Sequence, residues 1–240
     1  MAKGFDNLAI NHQLDMSLPF AEYAGVAGDV TLDISKNHFP FTITGPPIWA
    51  IPGPPTSIRC LNFAPATPDY LTCPGVTTAA LDYTSEDFSY ACWINMGNIA
   101  AVNRTLICRG LLDNDGWYIQ VLLTGALYMI TTQLAGPEWQ STESAAGIIV
   151  INTWFLVGMS RDGALVRFFL NGVETAYDHQ DNHVDPDSSN RATLIGIYDT
   201  LGVNTAFSQY MWNPRLWGDR ALTLEDHNYI WETERHWFGL

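Results

Sequence analysis

The sequence predicts an all-β fold in which two antiparallel sheets pack as a sandwich, with a short helix near the C-terminus. Two observations predict this fold. Short apolar runs rich in β-branched and aromatic residues recur along the chain, and turn-forming pairs separate them at intervals of about 8–12 residues. Helical patterns are sparse. The 240 residues suffice to bury a sizeable core, and we expect residues 1–240 to form one domain.

The N-terminal third is the least regular part of the chain. Its segment TGPPIWAIPGPPTS, from Thr44 to Ser57, carries five prolines. Proline cannot donate a hydrogen bond to a sheet ladder, so such a stretch is typical of a loop or an edge crossing. We expect a Pro-rich connection at about residues 45–57, inside one domain rather than between two.

The middle of the chain reads as strands joined by tight turns. The runs TLICRG and WYIQVLL flank the turn pair Asp115-Gly116, and GALYMITTQL follows. In the run FSYACWINM, alternation places Phe88, Tyr90, Cys92 and Ile94 on one face of a strand. We therefore expect Cys92 to be a buried thiol rather than half of a disulfide.

Two turn pairs lie back to back in the run RDGALVRFFLNGVETAY. Asp162-Gly163 and Asn171-Gly172 favour type I′ turns, whose twist suits antiparallel strands. The run predicts a three-strand meander that is central to one sheet and serves as scaffold rather than chemistry.

One segment, ALTLEDHNYIWETER, has the features of a helix. Thr223 is a candidate N-cap, and Asp226 three residues later completes a capping-box arrangement. We expect Leu224, Tyr229 and Trp231 to pack this short helix onto the sandwich.

The net negative charge of the chain disfavours some classes of binding partner. The formal net charge is −14, from 25 acidic and 11 basic residues. An acidic surface repels phosphate backbones, so we expect no nucleic-acid partner and no polybasic membrane contact. The sequence also lacks a run of about 20 apolar residues that could span a membrane, and its N-terminus lacks the apolar stretch of a secretory signal.

The order of several motifs resembles the laminin-G-like, concanavalin A-like lectin-glucanase jelly-roll family. The resemblance rests on six pieces in the family's order, from about Leu14 to Trp231: LDISKNHFPFTITG, IRCLNFAPATPDYLTCPG, EDFSYACWINM, TWFLVGMSRDGALVRFFLNGVE, TLIGIY and YMWNPRLWGDRALTLEDHNYIW. Two positions depart from the family pattern, Ser208 for a glycine and Asn171 for an aspartate. Neither affects the fold, since Asn suits a left-handed turn position. The resemblance implies a two-sheet antiparallel jelly roll.

Enzymes of this resemblance include β-glucanases that cleave with two nearby carboxylates. A strand reading Glu-x-Asp-x-x-Glu would supply them, and no such stretch occurs here. The adjacent Glu86 and Asp87 would point to opposite faces of a strand. Nucleophile-elbow, zinc-protease and nucleotide-binding motifs are also missing. We therefore expect a protein that is not an enzyme.

Calcium is the one cofactor that the resemblance leaves open. Some laminin-G-like relatives carry calcium on the rim of the sandwich, and Asp33, Ser35 and Asn37 resemble a turn that supplies oxygen ligands in such domains. The alternative is a turn in which the Asp and Ser side chains cap nearby backbone N–H groups.

Nine tryptophans and ten tyrosines suggest sugar binding, since aromatic rings stack on the C–H faces of sugars. The candidate residues are Trp93, Trp117 and Trp139, in or beside predicted loops or on a face opposite the core. Sandwich cores use tryptophan as well, so packing is the alternative for each.

Two functions without catalysis follow from these observations. The first is a virion surface component, a capsid decoration or tail protein, made in the host cytoplasm without a signal peptide. Trp237 and Phe238 near the end of the chain would then contact other virion or assembly proteins, or further copies in a homo-oligomer. The alternative is a calcium-assisted carbohydrate-binding module or lectin, extracellular after processing, with a cell-surface glycan as its partner.

Overall fold

Strands dominate the part of the chain that the structure, a computed structural model, describes: residues 8–20, 27–45, 48–51, 58–64, 69–99, 102–136, 138–202 and 205–240. In chain order these strands are β1 (Leu14–Ser17), β2 (Val30–Leu32), β3 (Pro40–Thr44), β4 (Ile48–Ala50), β5 (Cys60–Phe63), β6 (Tyr70–Cys73), β7 (Phe88–Met96), β8 (Arg104–Leu111), β9 (Asp115–Val121), β10 (Leu127–Thr132), β11 (Trp139–Ser144), β12 (Trp154–Asp162), β13 (Leu165–Leu170), β14 (Val173–Glu174), β15 (Tyr177–Gln180), β16 (Thr193–Ile195) and β17 (Gln209–Gly218). Helix α1 (Leu224–Glu234) follows β17, and a 3-10 turn (Arg235–Phe238) follows α1. Over the described ranges, no helix is long and apolar enough to cross a membrane.

The strands form two antiparallel sheets. The first sheet has the order β14-β13-β12-β7-β17-β5-β4, with β1 also paired to β17. The second sheet has the order β15-β11-β10-β9-β8-β16-β6-β3-β2. The predicted all-β sandwich of two antiparallel sheets with a short C-terminal helix is confirmed.

The main hydrophobic core lies between the sheets, and strand alternation selects its residues. On β7, Phe88, Tyr90, Cys92 and Ile94 all join this core, as the sequence pattern predicted. All four cysteines are buried free thiols, which confirms the prediction for Cys92. Burial raises the pKa of the Cys92 thiol to about 12, so the side chain stays protonated and packs as a small apolar group.

The opposite face of β7 is buried as well, beneath α1. Its Trp93 lies in a second hydrophobic cluster that includes Ile230 of the helix. The helix starts at the predicted capping box, with the Thr223 side chain accepting from the Asp226 N–H and the Asp226 side chain accepting from the Thr223 N–H.

The structure corrects the packing face predicted for α1. Of the three residues expected to pack, Trp231 stacks on Trp93 at 5.4 Å between ring centroids. Leu224 and Tyr229 are instead half exposed. The buried residues of the helix are His227, Ile230 and Glu234. Two of these three are polar, which is why a search for apolar spacing assigned the wrong face.

Of the two predicted turn pairs of the meander, Asn171-Gly172 is confirmed: Leu170 pairs with Val173, and the two turn residues have the left-handed φ values of a type I′ turn, +52° and +78°. The prediction for Asp162-Gly163 is wrong. Asp162 still pairs with Leu165, so Gly163 and Ala164 form that turn, and of these two only Gly163 has a positive φ, +56°. The meander β12-β13-β14 is not central, however, because β14 forms one edge of the first sheet. Only β12 is central, through its pairing with β7.

The predicted Pro-rich connection at 45–57 lies largely outside the described residues. Its described part includes β4, which pairs with β5 at the other edge of the first sheet. An edge position suits this segment because its flanking prolines cannot donate to a neighbouring strand. The organisation of residues 1–240 as one domain stays a prediction.

Candidate functional site

A groove of about 310 Å³ lies on the outer face of the first sheet, between α1 and the N-terminal segment. We call it the terminal groove and define it by Ile10, Trp212, Asn213, Tyr229, Glu234 and Trp237. Its volume reaches the lower end of the range seen for small-molecule sites, which combine apolar walls with a few polar groups.

Aromatic rings form the wall of the groove. Trp237 is 37% exposed and Tyr229 is 49% exposed, so both rings present surface to solvent. The Trp237 ring meets the Trp212 ring edge to face at 5.6 Å between centroids. The next residue, Phe238, is buried and stacks on Trp93 at 3.9 Å. This stacking anchors the 3-10 turn and therefore the neighbouring Trp237.

Charged groups form the floor of the groove. Arg215 on β17 binds Glu234 at the end of α1 through two hydrogen bonds of 2.7 and 2.9 Å. Trp93 Nε1 also donates to the Glu234 carboxylate, at 2.7 Å. Both charged side chains are about nine-tenths buried. The pair is therefore fixed in geometry, and its charges compensate each other.

A β-bulge in β17 brings a polar side chain to the groove. The register of β17 against β7 shifts between Trp212 and Arg215, and Asn213 there has φ +49°. Asn tolerates this left-handed conformation, and the following Pro214 fits a bulge because it has no N–H to donate. Ser17 Oγ donates to Asn213 Oδ1 at 2.9 Å. The amide N–H groups are thus what Asn213 can offer to a ligand.

The structure corrects the sugar-binding prediction for two of three tryptophans. Trp93 is fully buried beneath α1, and Trp117 is fully buried between the sheets, where it stacks near Tyr83. Neither ring presents a face to a ligand. Trp139 is 43% exposed on β11, so its ring remains accessible, on the second sheet and away from the terminal groove.

The predicted interaction residues at the end of the chain divide in the same way. Trp237 is exposed and lines the groove, whereas Phe238 is 1% exposed and belongs to the cluster beneath α1. Phe238 therefore supports the site from within and cannot contact a partner directly.

The geometry around the predicted calcium turn fits a capped turn. Asp33 Oδ1 accepts from the N–H groups of Ser17 and Ser35, at 2.8 and 2.9 Å. Asp33 Oδ2 accepts from Ser35 Oγ and the Phe39 N–H, at 2.7 and 3.0 Å. Asn37 Nδ2 donates to a backbone carbonyl. The N–H groups of Ser17, Ser35 and Phe39 donate to the carboxylate, and the single hydroxyl proton of Ser35 is shared between Asp33 and the Asp15 carbonyl, so the carboxylate serves the turn as its cap. Among the residues that the structure covers, no group of three or more His, Cys, Asp or Glu could hold a metal ion.

Sequence reasoning found Trp237 but missed the rest of the groove. Arg215 and Glu234 are far apart in the chain, and nothing in their local sequence marks them as partners. The Asn213-Pro214 pair inside a predicted strand was the available signal, because proline in a central strand indicates a bulge.

Comparison with known proteins places the fold. A family model described as the concanavalin A-like lectin/glucanases superfamily matches residues 69–226. No curated protein matches the chain. The receptor binding domain of botulinum neurotoxin D aligns with a TM-score of 0.68 at 13% identity, covering 94% of this chain and 54% of that chain.

Two further solved structures align equally well. The binding domain of Paraclostridial Mosquitocidal Protein 1 has a TM-score of 0.68 at 13% identity, covering 93% of this chain and 53% of that one. The botulinum neurotoxin serotype D ligand binding domain in complex with N-acetylneuraminic acid has a TM-score of 0.68 at 12% identity, with coverages of 94% and 52%. The chain thus spans about half the length of these solved chains, and at such identities the likeness shows the fold.

Proposed function

The chain belongs to the concanavalin A-like lectin/glucanases superfamily, and from this premise we propose that it is a non-enzymatic glycan-binding domain whose site is the terminal groove. The observation that carries the proposal is the pairing of two accessible aromatic rings, Trp237 and Tyr229, with buried polar groups at the floor of one concave site. A sugar ring has an apolar C–H face for such rings and hydroxyl groups for the polar floor.

The similar folds support sugar as the class of ligand. One of the aligned structures is named for its complex with N-acetylneuraminic acid, and another for receptor binding. Those names describe those proteins. For this chain they add weight to an assignment that rests on the rings and polar groups of the groove.

The absence of catalysis is supported by the acids of the groove. Hydrolysis of a glycosidic bond requires a pair of carboxyl groups across the bond. Among the described residues that line the groove, Glu234 is the one carboxylate, and two hydrogen bonds from Arg215 occupy it. A bound glycan would therefore be held and released without cleavage.

Matched tryptophan variants test the proposal. A glycan array selects a binding oligosaccharide, and calorimetry then compares the wild type with Trp237→Ala and Trp139→Ala. The two tryptophans have similar exposure, but Trp237 lies in the 3-10 turn after α1 and Trp139 lies on β11 of the second sheet. We expect Trp237→Ala to weaken binding at least about tenfold and Trp139→Ala to change it less than about twofold.

A third variant separates a loss of binding from a loss of folding. Tyr229→Ala removes a half-exposed ring from the groove and should weaken binding while leaving the melting temperature nearly unchanged. Loss of binding in Trp139→Ala alone would move the site to the second sheet. An array without any binding glycan at high protein concentration would remove the proposal.

A second candidate function is assembly, as a virion surface component of the capsid-decoration or tail type. The observation that favours it is exposed apolar side chains on edge strands: Leu32 on β2 is 63% exposed and Val173 on β14 is 62% exposed. Exposed apolar side chains at the edge of a sheet suit contact with another protein or another copy of the chain. Light scattering and electron microscopy test this candidate, and a monomer at high concentration would count against it.

A further inference from the structure

We infer that the terminal groove selects uncharged glycans and discriminates against acidic ones such as sialylated or sulfated sugars. This inference rests on the proposed glycan-binding function and adds the chemical class of its ligand. It differs from what the aligned complex with N-acetylneuraminic acid would suggest, since that sugar carries a carboxylate.

The cation of the groove, Arg215, already has an internal partner. A buried anion is recognised by a cation or by several N–H donors aimed at it. Arg215 is the one basic side chain among the described residues that line the groove. Its two terminal nitrogens already bind the Glu234 carboxylate at 2.7 and 2.9 Å. A ligand carboxylate would have to compete with an internal carboxylate that is attached to the protein and fixed by Trp93.

Two further arginines lie at the ends of α1, the helix that forms one wall of the groove. Arg220 binds Asp226 at 2.8 Å, and Arg235 binds Glu232 at 3.0 Å. Both arginines are therefore compensated by carboxylates of the same helix. Neither leaves an unpaired positive charge at this end of the sandwich.

Negative charge dominates the electrostatic field around the groove. The helix segment LEDHNYIWETE that forms one wall carries four acidic residues and no Lys or Arg. The whole chain carries a net charge of −14. A like charge on the ligand is disfavoured under such a field, and the penalty falls as salt screens it.

The remaining polar groups suit hydroxyls. Asn213 offers amide donors. Ser17 and Thr233 also line the groove; their hydroxyl protons are donated to Asn213 Oδ1 and to the Tyr229 carbonyl, so their oxygens can act as acceptors. Neutral donors and acceptors of this kind match the hydroxyls of an uncharged sugar, while Trp237 provides the ring face.

Paired glycans test the inference. An array should present the same oligosaccharide cores in neutral, sialylated and sulfated forms, and calorimetry should follow with the matched soluble pair. We expect the neutral form to bind at least about tenfold more tightly than its acidic partner. Between about 50 mM and about 500 mM sodium chloride, neutral binding should change less than about twofold while residual acidic binding strengthens.

Two charge variants sharpen the test. Glu234→Gln leaves the Arg215 charge uncompensated in the groove and should raise affinity for the sialylated form relative to the neutral one. Glu138→Gln, at an exposed position just before β11 of the other sheet, changes the net charge equally and should leave this preference unchanged. If Glu234→Gln does not fold, the wild-type salt series decides alone.

The outcomes separate the two proposals. Tighter binding of the acidic form, lost in Trp237→Ala, would overturn the neutral preference and keep glycan binding in the groove. Acidic binding that weakens with salt would overturn it as well. Failure of every neutral and acidic glycan to bind would remove the proposed function together with this inference.

Discussion

The two outer faces of the sandwich are built differently. On the first sheet, α1 and the segments near both termini cover Trp93, Trp154, Trp212 and Trp217, which pack with one another and with Phe238. On the second sheet, the outer cluster is smaller and its rim consists of half-buried tyrosines. Covering a sheet face adds a second apolar layer, and the edge of that layer against the sheet creates the terminal groove.

The polar groups on the two faces differ as well. The covered face buries a charged pair, Arg215 and Glu234, whose charges are compensated. The side of the second sheet has a more exposed ionic group, in which Arg191 binds Asp115 at 2.8 Å and Asp199 at 2.7 Å, and neutral pairs such as Gln120 Nε2 donating to Thr105 Oγ1 at 3.0 Å. The comparison teaches that stability and binding on the covered face depend on a few coupled groups, whereas substitutions on the second face should act locally.

The largest expected effect is the loss of a tryptophan from the covered face. Trp93→Ala removes a ring stacked between Trp231 and Phe238 and one hydrogen bond to Glu234. We expect the free energy of unfolding to fall by about 3–5 kcal/mol. Trp139→Ala on the second sheet should cost less than about 1 kcal/mol. Urea unfolding measures both changes. Equal losses of unfolding free energy in the two variants would contradict the proposed difference between the two faces.

Breaking the buried ion pair is expected to be nearly as damaging. Glu234→Ala leaves the Arg215 charge and the Trp93 N–H buried without their acceptor, which should cost about 3 kcal/mol. The control is Glu232→Ala, whose pair with Arg235 is exposed and should contribute at most about 0.5 kcal/mol. Chemical denaturation of the two variants side by side checks this, and a mild loss in Glu234→Ala would contradict the reading of a coupled floor.

Acid should weaken the fold through one buried histidine on the covered face and one beside the second sheet. Burial lowers the pKa of His227 from 6.5 to about 3, and burial followed by the Arg161 charge lowers the pKa of His183 from 6.5 to about 4. Because the unfolded state binds protons more readily, this stability is complete above pH 6.5 and is lost as pH falls toward those values. At pH ~5 the loss is on the order of 2 kcal/mol for each histidine.

A variant at His183 isolates its share of the acid effect. Its Nδ1 contacts Thr131 Oγ1 at 2.9 Å and its Nε2 contacts Thr142 Oγ1 at 3.0 Å. His183→Gln keeps hydrogen-bonding groups but does not titrate, so its melting temperature should fall less than that of the wild type between pH ~7 and pH ~5. Parallel curves for the two proteins would show that His183 carries none of the effect.

The smallest expected effect is at the start of α1. Thr223→Ala removes the side chain that caps the helix and should cost about 1 kcal/mol, while Thr223→Ser keeps the hydroxyl and should cost less. Thr223→Ala should weaken glycan binding only slightly, since Tyr229 and Glu234 lie in later turns of α1. Thermal unfolding of both variants measures the difference.

Much of the fold was predictable because its signals are local. The turn pair Asn171-Gly172 fixes a hairpin through its own backbone preferences, and Thr223 with Asp226 marks the start of a helix. Alternation along β7 correctly sorted Cys92 into the core. These features depend on residues a few positions apart, so no knowledge of the rest of the chain is needed.

The site was only partly predictable because its signals are distant. Trp93 and Trp139 were equal candidates from the sequence, in or beside predicted loops or on a face opposite the core, yet one is fully buried and the other is 43% exposed. The difference depends on whether a helix from the end of the chain covers the sheet. Arg215 and Glu234 likewise meet only when α1 packs on β17.

By itself, the sequence determined the longer strands such as β7, β12 and β13, the Asn171-Gly172 turn, the capped helix and the lack of a Glu-x-Asp-x-x-Glu motif, since periodicity and turn chemistry act over short distances. The tertiary structure alone decided which face α1 covers, which tryptophans stay accessible and how the charges in the groove pair. Those outcomes depend on the burial of surfaces from distant segments against one another, and burial is a property of the packed molecule rather than of any one stretch.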